Sequence, residues 1–206
     1  NDLIVEEDPD ICCFVEVDSG SFNSGHYSHM KSLINESYQH FDVESKYGRK
    51  SLLRSLMFTK GKSNGFVSKQ EYPHEKIYFP AGFKKLIYKI ELEKNLTLFF
   101  AHFSLNRKVR QRQLEYTREL MDDTPGEVVF LGDFNVLTGL KELMPLMVDN
   151  QIVLLNKEDV PTFTFHQRQL VLDLCLCTPG IAERADLRVV PQPYSDHAAL
   201  VVALEA

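Results

Sequence analysis

Apolar positions along the chain recur with two periods, and they sort it into many strands and few helices. Ile11-Cys12-Cys13-Phe14-Val15-Glu16-Val17 and Val128-Val129-Phe130-Leu131 are short apolar runs of the kind that form strands buried on both faces. Lys85 to Leu92 and Leu96 to Phe103 predict paired strands around the turn Glu93-Lys94-Asn95. Thr162 to Phe165, Val171 to Cys177 and Ala198 to Leu204 read as further strands. Helical spacing links Tyr27, Met30, Leu33, Ile34 and Tyr38, and again Leu114, Thr117, Leu120 and Met121, the second helix ending at Asp122-Asp123-Thr124-Pro125-Gly126. Residues 2–8 read as a last helical turn before Pro9, and a short helix begins near Leu140 and is interrupted at Pro145. Residues 42–52 read as irregular, and Asn64-Gly65 as a hairpin turn inside Leu53 to Ser68. No repeat, low-complexity tract or linker divides the 206 residues, so they read as one domain, 1–206. Many strands with few intervening helices predict two packed sheets with helices outside, an α+β arrangement.

Composition narrows the partners. A 44% hydrophobic content supplies a core, and no apolar run approaches the about 20 residues that span a membrane. A net charge of −6 argues against a protein that lives on non-specific nucleic-acid affinity, while leaving room for a local basic groove. Cys12, Cys13, Cys175 and Cys177 sit in apolar runs without zinc-type spacing. They read as buried free thiols of a reducing compartment, with a disulfide as the lesser alternative; a cytoplasmic protein and a monomer are expected.

Several polar residues interrupt this pattern. Gly132-Asp133-Phe134-Asn135 ends the central apolar run. Side chains at i and i+2 of an extended chain emerge together. Asp133 can then move a proton or hold a cation, and Asn135 can donate to a phosphate oxygen; an Asx turn closing a strand is the plainer reading. Glu16, in an apolar strand, is paired with a cation, bound to a metal, or placed at the strand's exposed end. His102 ends an apolar strand, where a histidine is either a hydrogen-bonded core residue or a catalyst. Alternation puts Asp173 on one face with Cys175 and Cys177, and such an aspartate needs a partner. In Ser195-Asp196-His197 the aspartate and histidine point to opposite faces, which frees Asp196 for a metal and lets His197 take Asp173. Asn106, Arg107, Lys108, Arg110 and Arg112 open the second helix. Cations there oppose the helix dipole, so the group reads either as an anion site or as a plain surface cluster.

Taken in order, these pieces resemble the endonuclease/exonuclease/phosphatase superfamily, the fold of pancreatic DNase-type nucleases. The matching text is Pro9-Asp10-Ile11 through Glu16-Val17-Asp18, Asn64-Gly65-Phe66-Val67-Ser68, Phe79-Pro80-Ala81-Gly82, Ala101-His102-Phe103, Gly132-Asp133-Phe134-Asn135, Leu172-Asp173 and Ser195-Asp196-His197. The resemblance implies a four-layer α/β/β/α sandwich and magnesium- or manganese-assisted phosphoester hydrolysis. It implies that Glu16 is the principal metal ligand and Asp196 a second carboxylate near the metal. Asp133 resembles the group that activates water, and Asn135 the amide that positions phosphate. His102 resembles a donor to the developing charge, and His197, oriented by Asp173, the family's second essential histidine. Asn106, Arg107 and Arg110 are the candidate substrate contacts. One departure stands out. The family opens with a strand whose Asn helps arrange the metal, whereas Asn1 is only fifteen positions before Glu16 with a helix-like stretch between. That strand and most of the first helix are therefore expected to be missing from these residues, which weakens the expected metal site.

The expected function is a metal-dependent phosphodiesterase or nuclease-type hydrolase, with nucleic acid, nucleotide or phospholipid headgroup as substrate and no stable membrane insertion. The alternatives are a phosphomonoesterase acting on a lipid or sugar phosphate, and a non-catalytic binding module that keeps the fold.

Overall fold

The computed structural model describes residues 2–18, 33–47, 62–193 and 195–205, with the backbone alone described at Asp2, Asp18 and Asn150. Helix α1 (Asp2–Glu7) leads into strand β1 (Ile11–Asp18), followed by β2 (His40–Ser45), β3 (Lys62–Ser68), β4 (His74–Tyr78), β5 (Leu86–Glu93) and β6 (Leu96–His102). The long helix α2 (Arg107–Asp122) comes next, then β7 (Glu127–Asp133) and a 3-10 turn at Leu140–Leu143. Strands β8 (Val153–Leu154), β9 (Phe163–Phe165), β10 (Arg168–Leu170) and β11 (Asp173–Cys177), helix α3 (Pro179–Ala182), and strands β12 (Ala185–Val190) and β13 (Ala199–Leu204) complete the chain.

A six-stranded sheet, ordered β4-β5-β6-β7-β11-β8, forms the centre. Its inner strands β6, β7 and β11 are largely apolar on both faces, and alternation sends their side chains two ways. Phe99, Ala101, Val128, Phe130, Leu174 and Leu176 pack against Leu114 and Met121 of α2. Leu98, Phe100, Val129, Cys175 and Cys177 face the other way, against Phe66 of β3, Cys13 and Val15 of β1, and Leu187 and Val202 of the β12-β13 pair. The outer face of the β1-β3-β2 sheet carries Cys12, Phe14, Val43 and Val67, which meet Ile4 of α1, Leu33 and Tyr38. The order is helix, sheet, sheet, helix, the expected α/β/β/α sandwich. All four cysteines are free.

Three local expectations change. Residues 42–45 are not irregular but lie in β2, whose pairing with β3 runs from His40–Ser68 to Ser45–Ser63. Asn64-Gly65 is no turn: it lies inside β3, between β1 and β2. Gly65 is required there by close approach, since a Cβ would stand 2.6 Å from the Asp42 carbonyl oxygen. Residues 33–38 are not helical, while most of the helix expected around Tyr27 to Tyr38, and residues 53–61, lie outside the described residues.

Candidate active site

Strand register builds the core of the site. His102 pairs with Asp133 across the parallel β6-β7 ladder, and Asp133 pairs with Asp173 across the antiparallel β7-β11 ladder. Each continues the face that looks toward the second sheet: His102 after Leu98 and Phe100, Asp133 after Val129, Asp173 beside Cys175 and Cys177. Three titratable side chains therefore stand in one row at the end of three neighbouring strands. Gly132 allows this convergence: a Cβ there would lie 2.0 Å from the Ala101 carbonyl oxygen, inside the neighbouring strand.

Asp133 is oriented from two sides. Its Oδ1 accepts from the Asn135 backbone N–H at 3.0 Å and its Oδ2 from Asn135 Nδ2 at 3.0 Å. The first bond is the Asx turn that the motif permits, with Asn135 in the left-handed region (φ 52°). The second hydrogen of Asn135 Nδ2 goes to the Phe103 carbonyl at 3.1 Å. Both amide hydrogens are thus committed, and in this arrangement Asn135 positions Asp133 rather than reaching outward to a phosphate.

His197 Nδ1 lies 2.7 Å from Asp173 Oδ2. Their meeting is arranged by Thr162, whose Oγ1 accepts from the Asp173 N–H at 2.8 Å and whose carbonyl accepts from the Ala198 N–H at 2.7 Å. The hydrogen bond from Asp173 raises the His197 pKa above its ordinary value, against the effect of burial. Burial in turn raises the Asp173 carboxyl, opposed by His197. The Asp173 carboxyl thus favours the protonated form of the His197 imidazole.

Glu16 reaches the row through a break in its strand. Simple alternation would place Glu16 with Cys12 and Phe14 on the outer face. The β1-β3 register shifts between Phe14 and Val17, and Glu16 takes φ 57°. This bulge turns Val17 to the outer cluster and Glu16 inward, and Asn64 Oδ1 accepts from the Glu16 N–H at 3.3 Å. Glu16 Oε1 then lies 2.5 Å from Lys46 Nζ, 3.7 Å from Lys84 Nζ and 3.5 Å from His102 Nδ1. Burial pushes the Glu16 carboxyl up, but the bond and charge of Lys46, with His102 and Lys84, hold it at about 2. Burial and the Lys46 charge bring the Lys84 ammonium down to about 8. His102 is lowered by burial, partly offset by Asp133, so its imidazole is neutral at pH 7. Its Nε2 faces both Lys84 Nζ and, at 3.2 Å, Asp133 Oδ2, accepting from the first in one tautomer and donating to the second in the other.

Lys46 and Lys84 were not legible as site residues. Lys46 follows a polar strand; Lys84 belongs to a lysine doublet ahead of β5. They meet through the Tyr47–Lys84 bridge, in which the Lys46 carbonyl accepts from the N–H groups of Lys85 at 2.8 Å and Leu86 at 3.3 Å. The doublet before an apolar strand is the one available signal.

The remaining expected residues divide. Asp196 is exposed; its backbone oxygen accepts from Thr164 N–H at 2.8 Å, and its charge adds to the field at His197. Among the described residues no contact joins it to Glu16, and no group of three or more His, Cys, Asp or Glu is arranged to hold a metal ion. Magnesium and manganese seek oxygen ligands, whereas the neighbours of the Glu16 carboxylate are two ammonium groups and an imidazole. As they stand, these donors do not fit a divalent ion. Asn106 caps α2, its Oδ1 accepting from Val109 N–H at 3.2 Å, and Arg107, Lys108 and Arg112 are exposed. Arg110 is not a substrate contact. It is 1% exposed and forms an ion pair with Glu142 at 2.7 Å, because the helix turns that position toward the core.

A family model described as Endonuclease/Exonuclease/phosphatase family matches residues 1–197. The fold is similar to that of an AP endonuclease from Archaeoglobus fulgidus, with a TM-score of 0.70, 16% identity, and coverage of 100% of this chain and 92% of that one. It is similar to truncated Caenorhabditis elegans TDP2, with a TM-score of 0.67, 15% identity, and coverage of 98% and 87%. It is also similar to a variant of the 3′ phosphatase NExo from Neisseria bound to a product DNA hairpin, with a TM-score of 0.68, 15% identity, and coverage of 100% and 92%. No curated protein sequence matches.

Proposed function

Because the chain belongs to the endonuclease/exonuclease/phosphatase family, we propose that it hydrolyses a phosphodiester, with nucleic acid as the substrate class. The observation that carries this reading is the row of His102, Asp133 and Asp173 with His197 docked on its end. The substrate class is supported by the solved relatives, one described as an AP endonuclease and one bound to product DNA.

In the proposed reaction a water oxygen bonds to phosphorus while the ester P–O bond breaks. The water's proton passes to Asp133, held for the task by Asn135. The departing oxygen takes a proton from solvent. The His197 imidazolium donates to a phosphate oxygen, where charge develops. Neutral His102 links Asp133 to the lysines. Members of the family generally use a divalent metal; here Lys46 holds the Glu16 carboxylate.

The test is hydrolysis of bis-(p-nitrophenyl) phosphate and p-nitrophenyl phosphate, each with magnesium, manganese or EDTA. Faster turnover of the diester is expected. No turnover of either ester under any of the three conditions would remove the enzyme reading and leave a binding module.

The pH dependence follows from the direction of the His197 shift. Its pKa is raised above 6.5, so the imidazolium is fully present below that value and is lost as the pH rises through the raised one. The diesterase rate should fall along that alkaline limb, and Asp173→Asn should move the limb to lower pH. A limb at the same pH in both proteins would assign it to another group. The same shift adds folded-state stability below pH 6.5 that fades over the same interval.

A further inference from the structure

We propose that Lys46 and Lys84 supply the positive charge that receives the scissile phosphate, with Glu16 serving as their counter-ion rather than as a metal ligand. The inference rests on the hydrolase reading above and specifies how the substrate's charge is met.

Three observations lead to it. The two ammonium groups converge on one carboxylate oxygen, at 2.5 and 3.7 Å, from segments tied together by the Tyr47–Lys84 bridge. Their positions are therefore set by backbone pairing, unlike those of lysines on a loose surface. Both are largely withdrawn from water, with side chains 4% and 19% exposed, whereas the Glu16 side chain is 48% exposed. Lysine is rarely buried, and a buried ammonium needs anionic company. Here Glu16 and Asp133 are the anions that act on both. The Glu16 carboxylate is thus already met by two ammonium groups rather than left open to a divalent cation. The third observation is connection to the chemistry. Lys84 Nζ touches His102 Nε2, which lies 3.2 Å from Asp133 Oδ2, so the cationic pair adjoins the residue proposed to take the water's proton. His102 Nδ1, buried and without a hydrogen-bond partner among the described residues, points back toward Glu16. Lysine binds phosphate as a point charge with three donors, and this arrangement presents two such charges side by side.

The reading separates itself from a metal site at Glu16. If Glu16 is a counter-ion, removing its charge leaves the lysines freer for phosphate; if it is a metal ligand, the same change weakens everything the metal holds. Inorganic phosphate is the probe, titrated calorimetrically into the full chain after EDTA treatment at low salt. Binding should persist in EDTA, weaken about tenfold or more in Lys46→Met and in Lys84→Met, and hold or tighten in Glu16→Gln. Circular dichroism checks each fold, and Lys84→Met, at the more exposed lysine, serves if Lys46→Met unfolds. Manganese binding, read by electron paramagnetic resonance, should be absent at Glu16 in the wild type and appear in Lys46→Met. Phosphate binding that requires manganese, or wild-type manganese binding abolished by Glu16→Gln, would overturn the proposal. Metal-dependent hydrolysis with unchanged phosphate affinity in both lysine variants would overturn it while leaving the hydrolase reading intact. Lysine-dependent phosphate binding without hydrolysis of any ester would uphold it and count against the hydrolase reading alone.

Discussion

His197→Ala should lower the rate of diester hydrolysis by at least about two orders of magnitude, the usual loss for a general acid–base or electrostatic donor. Asp173→Asn should lose a large part of the same effect. The reason is the 2.7 Å contact between His197 Nδ1 and Asp173 Oδ2, which uses one face of the imidazole and leaves Nε2 for the substrate. Asp173 is itself held, its N–H donating to Thr162 Oγ1 at 2.8 Å, while the Phe163 ring packs edge-on against the imidazole at 4.9 Å. A neutral amide at position 173 keeps the shape but gives up the charge that favours the imidazolium. Because the two residues act as one unit, the double variant should be little worse than the worse single one. A double-mutant cycle on bis-(p-nitrophenyl) phosphate measures this, with circular dichroism confirming the fold. Fully additive losses would mean independent roles, and a near-wild-type rate in His197→Ala would take it out of the site.

Much of this site follows from period-two alternation. Asp173 could be placed with Cys175 and Cys177 from the sequence because nothing interrupts β11, and the layered fold follows from the same apolar runs. Glu16 could be singled out but not aimed, because the bulge that turns it inward depends on pairing with β3, forty-odd residues away. Lys46 carried no local signal and Lys84 only its place in a lysine doublet, since their meeting depends on the Tyr47–Lys84 bridge between distant segments. Asn64-Gly65 misled for a related reason. The pair has turn chemistry, but Gly65 is there to let the Asp42 backbone approach. Asn135 was legible as part of the site, and so was its Asx turn with Asp133; the second bond of its amide was not, since the Phe103 carbonyl that takes it belongs to another strand's end. Arg110 was misread because its helix position suggests a solvated cation, and its partner Glu142 comes 32 residues later.

That buried pair carries the second large effect. Arg110→Met should destabilise the fold by about 3–5 kcal/mol, the usual result of leaving one charge of a buried ion pair without its partner. Both side chains are 1% exposed. The guanidinium donates through Nε and Nη2 to the Glu142 carboxylate at 2.7 to 3.0 Å, and through Nη1 to the carbonyls of Ser104 at 2.9 Å and Leu105 at 3.0 Å. Glu142 Oε1 also accepts from the Thr138 backbone N–H at 3.0 Å and hydroxyl at 2.6 Å. The pair thus clamps the loop after His102 to the loop after Asn135, so the same bonds that stabilise the fold hold two parts of the site in register. Glu142→Gln keeps the shape but leaves the guanidinium uncompensated, and it should fall in the same range. Replacing both, as Arg110→Met with Glu142→Leu, removes the stranded charge and should recover much of the stability, while leaving the Thr138, Ser104 and Leu105 groups to find water. Diesterase activity should recover less than stability does, because the clamp between the two loops is gone in the double variant. Urea unfolding followed by circular dichroism measures the first quantity and turnover at saturating substrate the second. A single variant within about 1 kcal/mol of wild type would place Arg110 among ordinary surface cations, and a double variant whose activity returns together with its stability would show that the clamp serves the fold alone.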